Sequence, residues 1–375
     1  MTFTQHHHCR GNLHVVTLKK AFRLQTGTIK EELSPPELVK EPVIEDFVLR
    51  EENDCYPKRD FVDVVLRGSV YAPRNKVTHV LDAGFSIQHK AHGIRVFGQR
   101  KLQIQAGQVS FTAPEPFEEV PLIWEEAYGG HDIHNEETGD IWDLKALGES
   151  ISKDLSHLNL SRYRRNPIGK GFIMKLKPEH DGFLLPRVEM AHDLLTPKKL
   201  ESPKPIDWHF QPMPACFDWS HYHWFPRIAF MAEKLFGKVD EALPQKPALP
   251  EYAYGYTRDD LFKKAPAHEL IRHPRMFNGA HPALQIPNKK QDLNISLWHM
   301  DPDQPEFSFK IPYDPPRISM NVPAESKTYK DKAFLSNVVI DMNKKEIITT
   351  WHSLIQSKYP ITDENKDKIS VQVDW

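Results

Sequence analysis

The residues best suited to chemistry in this sequence are a histidine pair and its neighbours. His221 and His223 alternate along the chain, so on a β-strand both side chains would point to the same face, as two zinc ligands often do. Cys216 and His209 are near in sequence and could complete a ligand set. Three aromatic residues surround the pair: Trp219, Tyr222 and Trp224. Such a run is also typical of a packing or binding surface. We favour that interpretation and predict no metal and no cofactor.

Motifs of nucleophilic or phosphate chemistry are absent from the sequence. The chain has no GxSxG nucleophile elbow, no GxxxxGK[ST] phosphate loop and no HExxH zinc motif. The paired carboxylates Glu118-Glu119 and Glu125-Glu126 are adjacent residues, which would point to opposite faces of a strand. We therefore expect a binding protein and not an enzyme. The alternative is a metal-dependent hydrolase that uses the histidine pair.

The composition indicates a protein of a reducing compartment. The 375 residues carry a formal net charge of -2, which argues against binding to nucleic acid or to an anionic membrane. Three cysteines are too few and too scattered for a disulfide framework. No run approaches the ~18 apolar residues that span a bilayer, and the first residues lack the apolar segment of a signal peptide. We expect a cytoplasmic protein with no nucleic-acid or membrane partner.

Short alternating runs predict β-strands over most of the chain. Residues 61–112 indicate a series of hairpins, in which turn residues separate runs such as Val80 to His89 and Gly93 to Phe97. The last third returns to strands and ends with a pair joined by the turn Asp341 to Lys345. We predict an α+β, mainly β fold whose antiparallel sheets pack as one or two sandwich-like lobes.

Helical patterns are scarce, because 31 prolines interrupt the chain. The candidate helices are residues 144–158 and Pro226 to Phe236. The expected organisation is a β-rich lobe over residues 1–196, a proline-rich connection with one helix over 197–250, and a β-rich lobe over 251–375. One continuous domain is the alternative.

Two segments near the beginning of the chain have plain interpretations. His6-His7-His8 is more typical of a fortuitous run in a flexible tail than of a zinc or nickel site. From Ile29 to Asp54 the chain is rich in Glu and Asp, and Ser34-Pro35-Pro36 rules out one continuous helix. We favour a solvated loop with short helical turns there, with an acidic docking surface as the alternative.

Two other segments combine their residue types more specifically. Residues 121–130 join an aromatic and acidic run to a pair of glycines, which permit positive φ angles or a close approach of two backbones. Residues 164–172 place a turn-forming Asn-Pro and two glycines within a basic cluster. Arg164, Arg165 and Lys170 could bind an anion together with backbone amides, whereas the plainer interpretation is a structural turn.

The order of these and several shorter segments resembles the bacterial domain-of-unknown-function family 2169. The longer segments match its P-L-x-[WY]-E-x-A-[FY]-G-G pattern at Pro121 to Gly130 and its N-P-x-G-x-G pattern at Asn166 to Gly171. The shorter matches are Lys58-Arg59-Asp60 with Asp63 to Pro73, Val96 to Arg100, Leu185 to Glu189, Trp224 to Arg227, and Ala265-Pro266. Asn278-Gly279-Ala280-His281 stands where the family often has a Gly-Gly-Glu step, so no role of that glutamate is carried over.

The resemblance implies an adaptor or chaperone. Members of the family look like cytosolic helpers that bind a secreted effector and promote its mounting on the spike protein of the type VI secretion system, or on the tip of that spike. Strand addition at a sheet edge is one way to hold an effector segment. Ten residues of the matched segments are our candidates for contact with a partner: Trp124, Glu125, Tyr128, Gly129, Gly130, Arg165, Asn166, Gly169, Trp224 and Arg227.

Overall fold

The fold is mainly β, as predicted. A computed structural model of the chain describes residues 3–10, 12–55, 61–74, 76–135, 161–200, 211–221, 224, 227, 277–287, 290–359 and 368–375. Over these residues the chain forms 23 strands and six 3-10 helices of three residues each. None of these helices is long and apolar enough to cross a membrane. Most strand pairs are antiparallel, which confirms the predicted fold class.

The elements follow one another at short intervals. In chain order the strands are β1 Thr4–Arg10, β2 Leu13–Arg23, β3 Gly27–Thr28, β4 Val43–Glu45, β5 Val48–Glu51, β6 Phe61–Arg67, β7 Ser69–Tyr71, β8 Val80–Ile87, β9 Lys90–Phe97, β10 Leu102–Gln105, β11 Gln108–Phe111, β12 Glu119–Pro121, β13 Tyr128–Gly129, β14 Lys170–Gly171, β15 Val188–Met190, β16 Gln285–Pro287, β17 Leu293–Trp298, β18 Glu306–Ile311, β19 Arg317–Val322, β20 Lys327–Lys332, β21 Phe334–Asp341, β22 Glu346–Gln356 and β23 Ser370–Asp374. The 3-10 helices are Trp124–Glu126, Ile133–Asn135, Pro178–His180, Pro197–Lys199, Pro282–Leu284 and Pro323–Glu325.

One six-stranded sheet joins distant parts of the chain. Its strands lie in the order β1-β2-β22-β21-β6-β16. β2 and β22 pair antiparallel from Leu13 opposite Gln356 to Arg23 opposite Glu346. β6 pairs in parallel with β21, and its five central residues are all buried. Its nearly continuous apolar run, Phe-Val-Asp-Val-Val-Leu-Arg, is typical of a strand covered on both faces.

The second six-stranded sheet is built from the predicted hairpins. Its strands lie in the order β15-β9-β8-β17-β18-β3. β8 and β9 form a hairpin that runs from Val80 opposite Phe97 to Ile87 opposite Lys90. β17 pairs antiparallel with both β8 and β18. The predicted hairpin is confirmed, but its turn lies at Gln88 and His89, whereas the turn expected at Lys90 to Gly93 is the beginning of β9.

A single cluster of buried apolar side chains contacts both large sheets. Val64 and Val338 of the first sheet belong to it, together with Phe85 and Ile295 of the second. Phe217, which lies outside both sheets, meets Phe85 edge-on with ring centroids 4.8 Å apart. The two sheets therefore share one core, as expected for sheets that pack face to face.

The predicted division of the chain into 1–196, 197–250 and 251–375 stays a prediction. Strands from the first and third segments alternate within both large sheets, as β2 does with β22 and β8 with β17. The candidate helices at residues 144–158 and 226–236 lie outside the described residues, as does most of the proline-rich connection.

Two features predicted for the first 55 residues, a flexible tail and short helical turns, are wrong. His6-His7-His8 belongs to β1, a strand paired with β2 along its whole length, and not to a flexible tail. The acidic segment from Ile29 to Asp54 contains the β4–β5 hairpin and no helical turn. The apolar pairs Val43-Ile44 and Val48-Leu49 lie on either side of the turn. They favour pairing of the two strands although prolines precede the first of them.

Candidate functional site

The two most specific sequence segments lie side by side in the structure. β13 and β14 pair in parallel. The Phe172 amide donates to the Gly129 carbonyl at 2.9 Å and continues this ladder. We term residues 121–130 and 163–172 together the buried junction.

Asn166 holds the two halves of the buried junction together. Its side-chain amide donates to the carbonyl oxygens of Trp124 at 2.7 Å and Tyr128 at 3.1 Å. Its own carbonyl accepts from the Gly130 amide at 2.8 Å. Buried carbonyls require donors, and one Asn amide carries two hydrogens that can serve two of them. This geometry gives a physical reason for Asn at this position.

The glycines of the buried junction are required by the close approach of two backbones. Gly129 has φ +150° and Gly130 has φ +105°. A Cβ on Gly129 would lie 2.2 Å from the carbonyl oxygen of Asn166, and one on Gly130 would lie 2.3 Å from that of Gly169. Neither distance leaves room for a side chain, so the glycine pair has a structural role.

Trp224 and Arg227 pack against the same region. The Trp224 ring meets the Trp124 ring edge-on, with centroids 5.1 Å apart. Arg227 is buried, and its guanidinium lies 2.6 Å from the Glu52 carboxylate and donates to the Ser220 carbonyl at 2.6 Å. Glu52 directly follows β5. This buried ion pair therefore ties the Trp224–Arg227 segment to the β4–β5 hairpin.

The base of the β4–β5 hairpin is fixed from two directions. Val48 is buried in a cluster that includes the two tryptophan rings. On the other side Arg67 of β6 contacts the Glu51 carboxylate at 2.8 Å and the Asp218 carboxylate at 3.0 Å. Apolar packing and ion pairs together hold the hairpin against the body of the protein.

The opposite end of the hairpin is apolar and exposed. Asp46 and Phe47 join β4 to β5 and have φ +47° and +64°, the two left-handed residues of a type I′ turn. Phe47 is 74% exposed, and Val43 and Ile44 are exposed as well. We term Val43 to Phe47 the hairpin tip.

Acidic side chains surround the hairpin tip. Glu41, Glu45 and Asp46 are exposed. Two basic residues lie near in the chain: the Arg50 Nε is 3.6 Å from the Glu45 carboxylate, and the exposed Lys40 directly precedes Glu41. The hairpin tip thus combines an apolar centre with a negative border, a combination that suits contact with another protein.

A comparison with known families identifies the chain. The model of a family described as uncharacterized protein conserved in bacteria (DUF2169) matches residues 10–352. The chain belongs to this family. No curated protein and no solved structure matches it. The family match includes the second large sheet, the buried junction, the hairpin and most of the first large sheet, so it extends well beyond the motifs recognised in the sequence.

Most of the ten candidate partner-binding residues in this DUF2169 protein are buried. The buried ones are Trp124, Tyr128, Gly129, Gly130, Arg165, Asn166, Trp224 and Arg227. Glu125 and Gly169 are half-buried. As folded, the buried residues contact their own chain, and a direct contact with a partner stays a prediction. None of the ten lies in the hairpin tip.

The basic cluster of the buried junction has internal partners. Lys170 Nζ lies 2.9 Å from both carboxylate oxygens of Glu126. Arg165 is buried and Arg164 is half-buried. Because the Lys170 charge is already balanced, the geometry favours a structural turn over an anion site.

The candidate metal ligands are only partly within the described residues. Burial raises the pKa of the Cys216 thiol well above its ordinary value, and the Asp218 carboxylate adds to the shift. The thiol is therefore protonated at neutral pH, which disfavours it as a ligand or nucleophile. His221 is buried, while His209 and His223 lie outside the described residues. Within the part of the chain that the structure describes, no three His, Cys, Asp or Glu residues are grouped to bind a metal ion.

Proposed function

We propose that this protein is a cytosolic adaptor or chaperone for secretion. It binds a secreted effector and promotes the loading of that effector onto the spike of a type VI secretion system, or onto the spike tip. It acts by binding and catalyses no reaction. The resemblance of its motifs supports the secretion role, and the surface of the molecule supports the binding role.

The hairpin tip is the observation that carries the binding role. Phe47 is 74% exposed at the end of the hairpin, and Val43 and Ile44 are exposed on the two faces of β4. Apolar side chains exposed on a projecting element are typical of a protein interaction site. The base of the hairpin is held by buried packing and ion pairs. A rigid element loses little conformational entropy on binding, which favours affinity.

The arrangement of reactive groups also supports binding over catalysis. His180 Nε2 lies 2.9 Å from the Asp132 carboxylate, a pairing that an enzyme could use. Both side chains are fully buried, and Asp132 also accepts from the Asn135 side chain and the Met174 amide. These contacts connect loops within the protein and leave the pair out of reach of a substrate.

Deletion of the gene tests the proposal. We expect the intracellular level or the secretion of one toxin-like effector to fall, while the spike protein itself is still secreted. Expression of the wild-type chain should restore the effector. Unchanged secretion of every effector would contradict the adaptor role. Stoichiometric metal in the purified protein, without any bound effector, would favour the hydrolase alternative at His221 and His223.

A further inference from the structure

We propose that the hairpin tip is the part of this protein that enters the effector, and that it binds an apolar pocket bordered by Lys and Arg side chains. The inference rests on the proposed function, because it takes the secreted effector as the partner. It assigns the contact to a surface that contains none of the family motifs.

The apolar part of the inference comes from the position of Phe47. Phe47 lies in the turn at the end of the hairpin, and Val43 and Ile44 are exposed on the two faces of the preceding strand, β4. Binding energy in protein interfaces concentrates in a few anchor residues, often aromatic, that fill pockets on the partner. A single projecting ring with aliphatic neighbours fits a concave apolar site better than a flat one.

The backbone of the turn gives a second, independent reason. Phe47 has φ +64°, a conformation that glycine adopts at no steric cost and that a bulky residue rarely adopts. Type I′ turns favour Asn-Gly or Asp-Gly, and the chain has Asp46 followed by Phe47. Folding alone would favour glycine here. Strain of this kind is concentrated at functional sites, where a side chain is needed for another purpose.

The charge around the hairpin tip predicts which side chains border the pocket on the partner. Glu37, Glu41, Glu45 and Asp46 are exposed in and before β4. Arg50 lies 3.6 Å from Glu45 and the exposed Lys40 precedes Glu41, so two basic residues balance part of these four acidic charges. The remaining negative charge is complementary to a basic border on the effector and would repel an acidic one.

Photo-crosslinking through residue 47 tests the inference directly. A photoreactive phenylalanine analogue replaces Phe47 in the full chain, which is expressed in its native host, irradiated and purified. The matched control carries the same analogue at Val77, which is 75% exposed and lies outside the hairpin. We expect residue 47 to crosslink to an effector segment that has apolar residues with Lys or Arg close by, and the control to give no such product.

Other crosslinked products would overturn the inference. A product with a second copy of this chain would indicate self-association, and one within the same chain would indicate that the tip covers a part of its own protein. An effector that co-purifies without a crosslink at residue 47 would leave the adaptor role intact and reject the tip as the contact. Absence of any effector from the purified protein would reject the proposed function as well.

Substitutions then measure the contribution of the tip to affinity for the crosslinked effector. Phe47→Asp is expected to weaken binding by at least about 30-fold, the effect of removing an interface anchor. Val77→Asp should leave affinity unchanged. The denaturation midpoint of Phe47→Asp should be no lower than that of the wild type, because Asp tolerates the left-handed conformation better than Phe. A midpoint at or above that of the wild type excludes misfolding as the cause. Equal effects of the two substitutions would overturn the inference.

A charge variant tests the basic border separately. Glu41→Gln combined with Asp46→Asn removes two charges and keeps a residue that tolerates the left-handed turn conformation. We expect a loss of affinity of a few-fold at low salt and a weaker dependence of the association rate on ionic strength. An unchanged salt dependence would contradict a basic border.

Discussion

The buried junction and the hairpin tip are connected parts of one protein with opposite physical character. In the buried junction, Asn166 satisfies two carbonyls, and Gly129 allows one backbone to lie against another. At the hairpin tip, Phe47 is exposed in a conformation that suits glycine. The first region is explained by contacts within the chain. We propose that the second is explained by a contact with a partner.

The family motifs of this protein lie mainly in its buried part. The motif residues Trp124, Trp224 and Arg227 are buried and reach the surface only indirectly, through Val48 and Glu52 of the hairpin. They hold the hairpin in place as folded. If the hairpin binds the partner, as we propose, the specific motifs indicate the support of the binding element, and the element itself carries no motif.

The largest expected effect is a loss of stability caused by a substitution in the buried junction. Gly129→Ala places a Cβ where only 2.2 Å separates it from the carbonyl oxygen of Asn166. The backbones must separate, so we expect the free energy of unfolding to fall by more than about 4 kcal/mol. Gly107→Ala is the matched control, since Gly107 also has positive φ but has no atom within 4 Å of its Cβ position. It should cost about 1 kcal/mol in denaturant unfolding. Similar losses for both variants would contradict the close approach.

The next largest effect concerns the link between the two regions. Glu52→Gln leaves Arg227 buried without a carboxylate, which should lower the free energy of unfolding by about 3–5 kcal/mol. Glu31→Gln removes the carboxylate of the exposed Arg23–Glu31 pair and serves as the control, with no measurable loss expected. If the loss from Glu52→Gln were as small as that from the control, the hairpin would not be held through this pair.

A smaller effect is expected on the pH dependence of stability, because His281 is buried. Burial lowers the pKa of His281 from 6.5 to about 3, and the charges of His92 and Arg165 add to the shift. The unfolded chain gains a proton below pH 6.5 that the folded protein does not accept. The free energy of unfolding should therefore fall by about 1.4 kcal/mol per pH unit as the pH decreases from 6.5 toward 3. His281→Asn should reduce this slope in unfolding measured between pH 6.5 and 4, and identical slopes would contradict the shift.

The smallest expected effect concerns the hairpin tip and is a gain in stability instead of a loss. Phe47→Gly relieves the left-handed conformation of a bulky residue, so we expect the free energy of unfolding to rise by about 1 kcal/mol. The same variant should lose affinity for the effector. A gain in stability with a loss of binding would show that Phe47 is kept for interaction. A loss of stability would indicate that the ring packs within its own chain.

The sequence predicted the local parts of this architecture and missed the long-range ones. Alternating runs were enough for the β8–β9 hairpin and for the turn from Asp341 to Lys345, because their partners are near in sequence. The structural-turn interpretation of the Asn-Pro segment also fits the geometry. The contact of Asn166 with Trp124 joins residues 42 positions apart, and no local pattern specifies that distance.

The hairpin tip was missed for a different reason. Prolines and acidic residues before Val43 are typical of a loop, and they outweighed the short apolar pairs on each side of the turn. The exposure of Phe47 depends on how the hairpin base is anchored to distant residues such as Arg67 and Arg227. An apolar residue in a sequence is otherwise expected in the core.

The most direct test of the central claim is purification of the wild-type protein and the Phe47→Gly variant from native cytosol, followed by mass spectrometry of the proteins that co-purify. We expect the wild type to recover a toxin-like effector together with a spike or tip protein, and the equally abundant variant to recover little or no effector. Recovery of no effector by the wild type, or of the same amount by both proteins, would contradict it.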